Sequence, residues 1–113
     1  MSKESMTIRK SAGVKILDVN EDLGNYVAFD LRQTLEELER QEIQKIVVNL
    51  SGVKHISSVA VGALVGVARR LRRKGGDLKV SGLNDNIRRT FDLVGASGIV
   101  EIYPSESSAA TAF

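Results

Sequence analysis

Ser57 and Ser58 are the residues best placed to do chemistry. They stand immediately before a small-and-apolar run, Val59-Ala60-Val61-Gly62-Ala63-Leu64, where a strand-like segment gives way to a helix-like one. A hydroxyl at that point accepts from the free N–H groups of the first helical turn. The unpaired N–H groups and the macrodipole also make a helix start a natural anion site. An exposed serine there offers a kinase an acceptor, and phosphorylation adds about −1.5 to −2 charges. The helix start tolerates that charge, so the surface changes sign while the fold survives. As caps alone, the same serines are worth about 1 kcal/mol.

Other candidates carry less. His55 is the only histidine and has no Ser/Asp or metal-ligand constellation around it, so a turn or packing role is expected. There are no cysteines, hence no thiolate nucleophile, disulfide framework or cysteine metal site. No glycine-rich phosphate loop follows a strand. No catalytic residue, metal ligand or cofactor is expected, and the chain is not read as an enzyme. Gly62 and Gly66 have the spacing of close helix contact, read here as letting a helix lie tightly on a sheet. Arg69, Arg70, Arg72, Arg73 and Lys74 invite a nucleic-acid reading. Against it stand their spread around the helix, 4% aromatic residues, a net charge of only +2, and the acids Glu42, Asp77 and Asp92.

The elements that must position Ser57 and Ser58 follow from periodicity. Lys45-Ile46-Val47-Val48-Asn49-Leu50 is short and rich in β-branched residues, as a strand covered on both faces should be. A helix from about Ser58 to Lys74 is apolar nearly all round in its first half, keeps Val67, Ala68 and Leu71 inward in its second, and ends at Gly75-Gly76. Upstream, Met6-Thr7-Ile8-Arg9-Lys10 and Val14-Lys15-Ile16-Leu17-Asp18-Val19 pair as a hairpin through Ser11-Ala12-Gly13. Asn25 is the expected N-cap of a helix with Val27, Leu31, Leu35 and Leu38 inward and an i,i+4 pair of Glu36 with Arg40. Downstream come a strand at Asp77–Leu83, a helix capped by Asn84 with Ile87, Phe91 and Val94 inward, and a strand at Ile99–Tyr103 stopped by Pro104. This order predicts an α/β fold: one mixed, mostly parallel sheet of about five strands with packed helices. One domain over 6–104 is expected, with a flexible stretch at 1–5 and a tail or short helix at 105–113.

In serial order these segments resemble the STAS domain family, the anti-sigma factor antagonists. That family's signature is a strand, Asp-Leu-Ser, then Asp-Ser-Ser-Gly-Leu opening a helix. Asn49-Leu50-Ser51 matches the first part and Ser57-Ser58-Val59-Ala60-Val61-Gly62 occupies the second. Asp77-Leu78-Lys79-Val80 matches the family's Gly-Gly-x-Leu strand, and Ile87-Arg88-Arg89-Thr90-Phe91-Asp92-Leu93-Val94-Gly95 its Val-Arg-Arg-x-Leu-x-Leu-x-Gly helix. The resemblance covers nearly the whole chain.

The resemblance implies a partner-switching regulator. Its phosphorylated serine falls on Ser58, with Ser57 as an alternative acceptor. The unphosphorylated form of such a protein binds an anti-sigma factor that is also a serine kinase, and so frees a sigma factor. ATP belongs to that kinase, and a separate serine phosphatase restores the serine. The implied docking surface is Ser57, Ser58, Val59, Val61 and Gly62, with Asp22, Leu23, Gly24 and Asn25 alongside. Two family carboxylates are missing, their positions being Ser57 and Gly24, while Glu21 replaces a loop glycine and Asp22 remains. Their loss supports an alternative: an adaptor subunit of a transport or sensory complex, never phosphorylated.

At 113 residues, 42% hydrophobic and 27% charged, the chain is ordinary for one soluble domain. The segment behind Met1-Ser2-Lys3-Glu4-Ser5 is not apolar, unlike a signal peptide. Ile56 to Ala68, the longest mostly apolar uncharged run, is well short of the roughly 20 residues a membrane helix needs. A cytoplasmic location without membrane insertion or direct nucleic-acid contact is expected.

Overall fold

The computed structural model describes residues 5–113. Strands β1 (Met6–Ser11) and β2 (Val14–Val19) form the expected hairpin, with Ser11 opposite Val14. Its two-residue turn, Ala12-Gly13, takes positive φ at both positions, the geometry that matches the twist of paired strands. Helix α1 (Asn25–Arg40), β3 (Lys45–Asn49), α2 (Ser58–Arg73), β4 (Asp77–Ser81), α3 (Asp85–Leu93), a 3₁₀ turn (Ala96–Gly98), β5 (Glu101–Tyr103) and α4 (Glu106–Ala110) follow. The strands lie in the order β1-β2-β3-β4-β5, antiparallel at the hairpin and parallel thereafter. The sheet is mixed and mostly parallel, as read from the sequence.

Two apolar layers clasp the sheet. Leu17, Val19, Ile46, Val48, Leu78 and Val80 pack against Leu31, Leu35 and Leu38 of α1, Leu64, Val67 and Leu71 of α2, and Ile87 and Phe91 of α3. On the opposite face, Val14 and Val47 pack with Ala109 of α4, flanked by Tyr103 and Phe113. The 105–113 segment therefore carries a short helix, capped by Ser105, whose side chain accepts from Ser108 N–H. Residues 1–4 of the stretch expected to be flexible lie outside the described residues. Ser5 is buried, and its carbonyl accepts from the Asn20 N–H at 2.8 Å.

Five expectations about side chains and their packing need correction. Gly62 and Gly66 face the space between α1 and α2, not the sheet. The N-cap of α1 is Gly24, not Asn25, and no side chain caps that helix. Ala28 takes the buried place expected of Val27, which is half-buried. Arg40 pairs with Glu37 one turn back, while Glu36 points toward Arg70. Val94 is exposed, because α3 ends at Leu93 and the left-handed Gly95 turns the chain into the 3₁₀ turn.

Candidate functional site

The two serines are separated by what their hydroxyls do. Ser57 is the N-cap of α2: its backbone is extended and its Oγ accepts from Ala60 N–H at 3.2 Å. Ser58 is the first helical residue and exposed, and its hydroxyl has no hydrogen-bond partner among the described residues. One hydroxyl is committed to the helix. The other makes no such bond.

The loop that presents them is held from two sides. On one side, Asp22 Oδ1 accepts from the N–H groups of Lys54 at 2.9 Å and His55 at 3.3 Å. Leu23 N–H donates to His55 O at 3.0 Å, and Ser57 N–H donates to Leu23 O at 2.8 Å, forming a one-residue parallel bridge between Leu23 and Ile56. These backbone N–H donors hold the Asp22 carboxyl below the usual carboxylate range, the Lys54 bond first. On the other side, Asn84 Nδ2 reaches Val53 O and Lys54 O, and Asn86 Nδ2 reaches Lys54 O at 3.2 Å. Asn86 Nδ2 also lies 2.8 Å from the His55 ring Nδ1. Asn84 does this while capping α3, its Oδ1 accepting from Ile87 N–H at 2.7 Å.

The strand behind the loop is fixed too. Asn49 Nδ2 donates to Asp18 at 2.8 Å, while Asn49 Oδ1 accepts from Ser51 N–H at 3.2 Å. Asp18 is in turn gripped by Arg9, which also holds Glu106 of α4. Gly82 takes a left-handed conformation against Ser51, where a Cβ would come within 2.9 Å of the serine side chain. No larger residue fits there without moving that loop.

The structure brings Asp22, Gly24, Asn25, Ser57, Ser58, Val59 and Gly62 to one surface; all are exposed except the half-buried Ser57. Leu23 and Val61 do not belong to it. Both are fully buried, Leu23 beneath the bridge and Val61 on the sheet-facing side of α2, so neither side chain can touch a partner. Asn84 and Asn86 were not foreseen as site residues. An asparagine N-cap is visible in a sequence, but its hold on a loop some thirty residues away is not. Tyr26 and Phe29 were also missed, being exposed aromatics on an otherwise ordinary amphipathic helix.

Two of the five cations at the basic end of α2 are paired within the domain. Arg70 is held by Glu39 at 2.9 Å and Arg72 by Asp77 at 2.9 Å. No group of acids and histidines that would hold a metal is found among the described residues, and no helix there is long and apolar enough to cross a membrane.

Comparison with known proteins gives a consistent picture. The STAS domain family model matches residues 5–109. An anti-sigma F factor antagonist of Paenibacillus polymyxa is 27% identical over 100 residues, covering 88% of this chain and 86% of its own. An anti-sigma-B factor antagonist of Listeria monocytogenes is 30% identical over 81 residues, covering 72% and 71%. Among solved structures, a proposed anti-sigma factor antagonist of Thermotoga maritima superposes with a TM-score of 0.85 at 26% identity, over 92% of this chain and 90% of that one.

Proposed function

The chain belongs to the STAS domain family, and from that premise we propose that it is an anti-sigma factor antagonist acting by partner switching. It binds an anti-sigma factor that doubles as a serine kinase, and phosphorylation at Ser58 releases it. A serine phosphatase resets the protein, which works in the cytoplasm. Its role is binding rather than catalysis. The observation that carries this reading is the division of labour between the serines: Ser57 Oγ is occupied by the Ala60 amide, while Ser58 is exposed and uncommitted at the helix start. The names of the relatives from Paenibacillus polymyxa and Listeria monocytogenes support it.

The physics of the switch is electrostatic. A phosphate on Ser58 sits on the positive end of α2, so the domain stays folded. A partner pressed against Val59 and Gly62 then meets a dianion it must desolvate. The test is a pull-down from the native host's lysate with wild type and Ser58→Asp as baits. Wild type should retain a kinase-fold anti-sigma protein that the variant loses. The same transporter or scaffold component on both baits would support the adaptor reading instead, which serine at 57 and glycine at 24 favour by making the patch less acidic.

A further inference from the structure

Six large apolar side chains are exposed among the described residues, and three of them, Tyr26, Phe29 and Val59, belong to the amino-terminal ends of α1 and α2. Between these two helices runs a groove of about 450 Å³. Its floor is made of the small residues Ala28, Gly62, Ala63 and Gly66, and its walls of Phe29 and Val59. The opening depends on glycine: a Cβ built at Gly62 meets nothing within 4 Å and would stand in the groove itself. One aromatic and one aliphatic wall over a small-residue floor, with polar side chains at the rim, is a shape that seats an anchoring side chain.

Of the charged residues lining the groove, Arg32, Glu36 and Arg70, Arg32 is the one left without a counter-charge among the described residues. The Arg32 guanidinium lies 5.8 Å over the Phe29 ring and makes no ion pair among the described residues. Arg70, at the far end, is already held by Glu39 and Glu36. Neither α1 nor α2 carries an acid in its first turn, and Asp22, just before α1, is the carboxylate that partly offsets their positive ends beside Ser58. This end of the groove suits a carboxylate. A second copy of this chain fits poorly, since a two-fold contact centred here would set Arg32 against itself.

We propose that the groove receives an amphipathic helix of the anti-sigma factor, with an apolar side chain seated between Phe29 and Val59 and a carboxylate on Arg32. This rests on the docking reading above and gives it a direction. A phosphate on Ser58 would cancel the positive field that the acidic helix answers to, and then repel it.

The test is titration calorimetry of the host's purified anti-sigma factor against wild type, Gly62→Leu, Arg32→Glu and Ser58→Asp, with thermal melts and light scattering on each protein. Gly62→Leu should melt at or above the wild-type temperature, because leucine favours helix over glycine. It should nonetheless bind about tenfold more weakly or worse. Arg32→Glu should weaken binding similarly, and its remaining affinity should depend less on salt than wild type. Wild-type affinity in both groove variants, with Ser58→Asp still deficient, would overturn the groove and remove Gly62 from the docking surface, while docking at Ser58 would stand. Loss in the groove variants with Ser58→Asp unaffected would keep the groove and end the phosphate switch. No binding by wild type would end both. Groove variants that abolish self-association of wild type, and leave the anti-sigma complex intact, would assign the groove to a second copy and overturn the proposal.

Discussion

Asn49 donates its side-chain amide to Asp18 at 2.8 Å. The family signature has an aspartate where this chain has Asn49, so a carboxylate there would face another carboxylate across neighbouring strands. The asparagine turns a repulsion into a hydrogen bond, and its Oδ1 still orders the signature loop through Ser51 N–H.

Asn49→Asp should therefore destabilise the protein at neutral pH by about 1–3 kcal/mol, the range for a lost hydrogen bond with an uncompensated partner. Asp18 would push the new carboxyl's pKa upward. A carboxyl with a raised folded pKa binds more protons folded than unfolded, so the variant should lose stability as pH rises. Urea denaturation at pH 5 and pH 7.5 checks this. The deficit should be larger at the higher pH.

Wild-type Asp18 titrates the other way. The Arg9 hydrogen bond holds its carboxyl low, against partial desolvation and with help from Asn49. Its contribution is present above the unfolded value of about 4 and lost as pH falls through the lower folded one. Arg9→Gln should remove much of that dependence and loosen α4, since Arg9 also holds Glu106. Stability measured from pH 7 to pH 2 should fall less steeply in the variant than in wild type.

The serines should separate by stability. Ser57→Ala removes the cap of α2 and should cost about 1 kcal/mol, whereas Ser58→Ala, with no bond to lose, should stay within about 0.5 kcal/mol of wild type. Paired chemical denaturation curves give both values. Equal losses would contradict the assignment of the cap to Ser57.

Asp22 should act on the loop more than on the whole fold. Asp22→Ala frees the Lys54 and His55 amides that its carboxylate accepts from. Amide hydrogen exchange should quicken at those two positions and leave Val47 and Val48, in the middle of β3, protected.

Much of this organisation is written in local patterns. The β-branched run at β3, the leucines of α1 and the asparagine before α3 each point to the element they form, and their order matches a known family. What the sequence hides depends on contacts across the chain. Lys79 reads as the polar side of a half-exposed strand, yet it is buried, because α4 and the Phe113 ring fold over it and Glu101 and Asp77 neutralise it. Burial works to lower its pKa, but those carboxylates prevail and raise it. Val61 lies within the signature segment, yet its helical position turns it to the sheet with Leu64 and Ala68. The hold of Asn84 and Asn86 on the Val53 and Lys54 carbonyls joins segments about thirty residues apart, which no local pattern encodes.

The central claim is that Ser58 is the switch and Ser57 the cap. The most direct measurement incubates the purified protein with the host's purified anti-sigma kinase and ATP, maps the phosphate by tandem mass spectrometry, and compares affinity before and after. The account predicts one phosphate, on Ser58, and a complex that falls apart when it is added. Phosphate on Ser57, an unmodified protein, or a Ser58 phosphate that leaves affinity unchanged would contradict it.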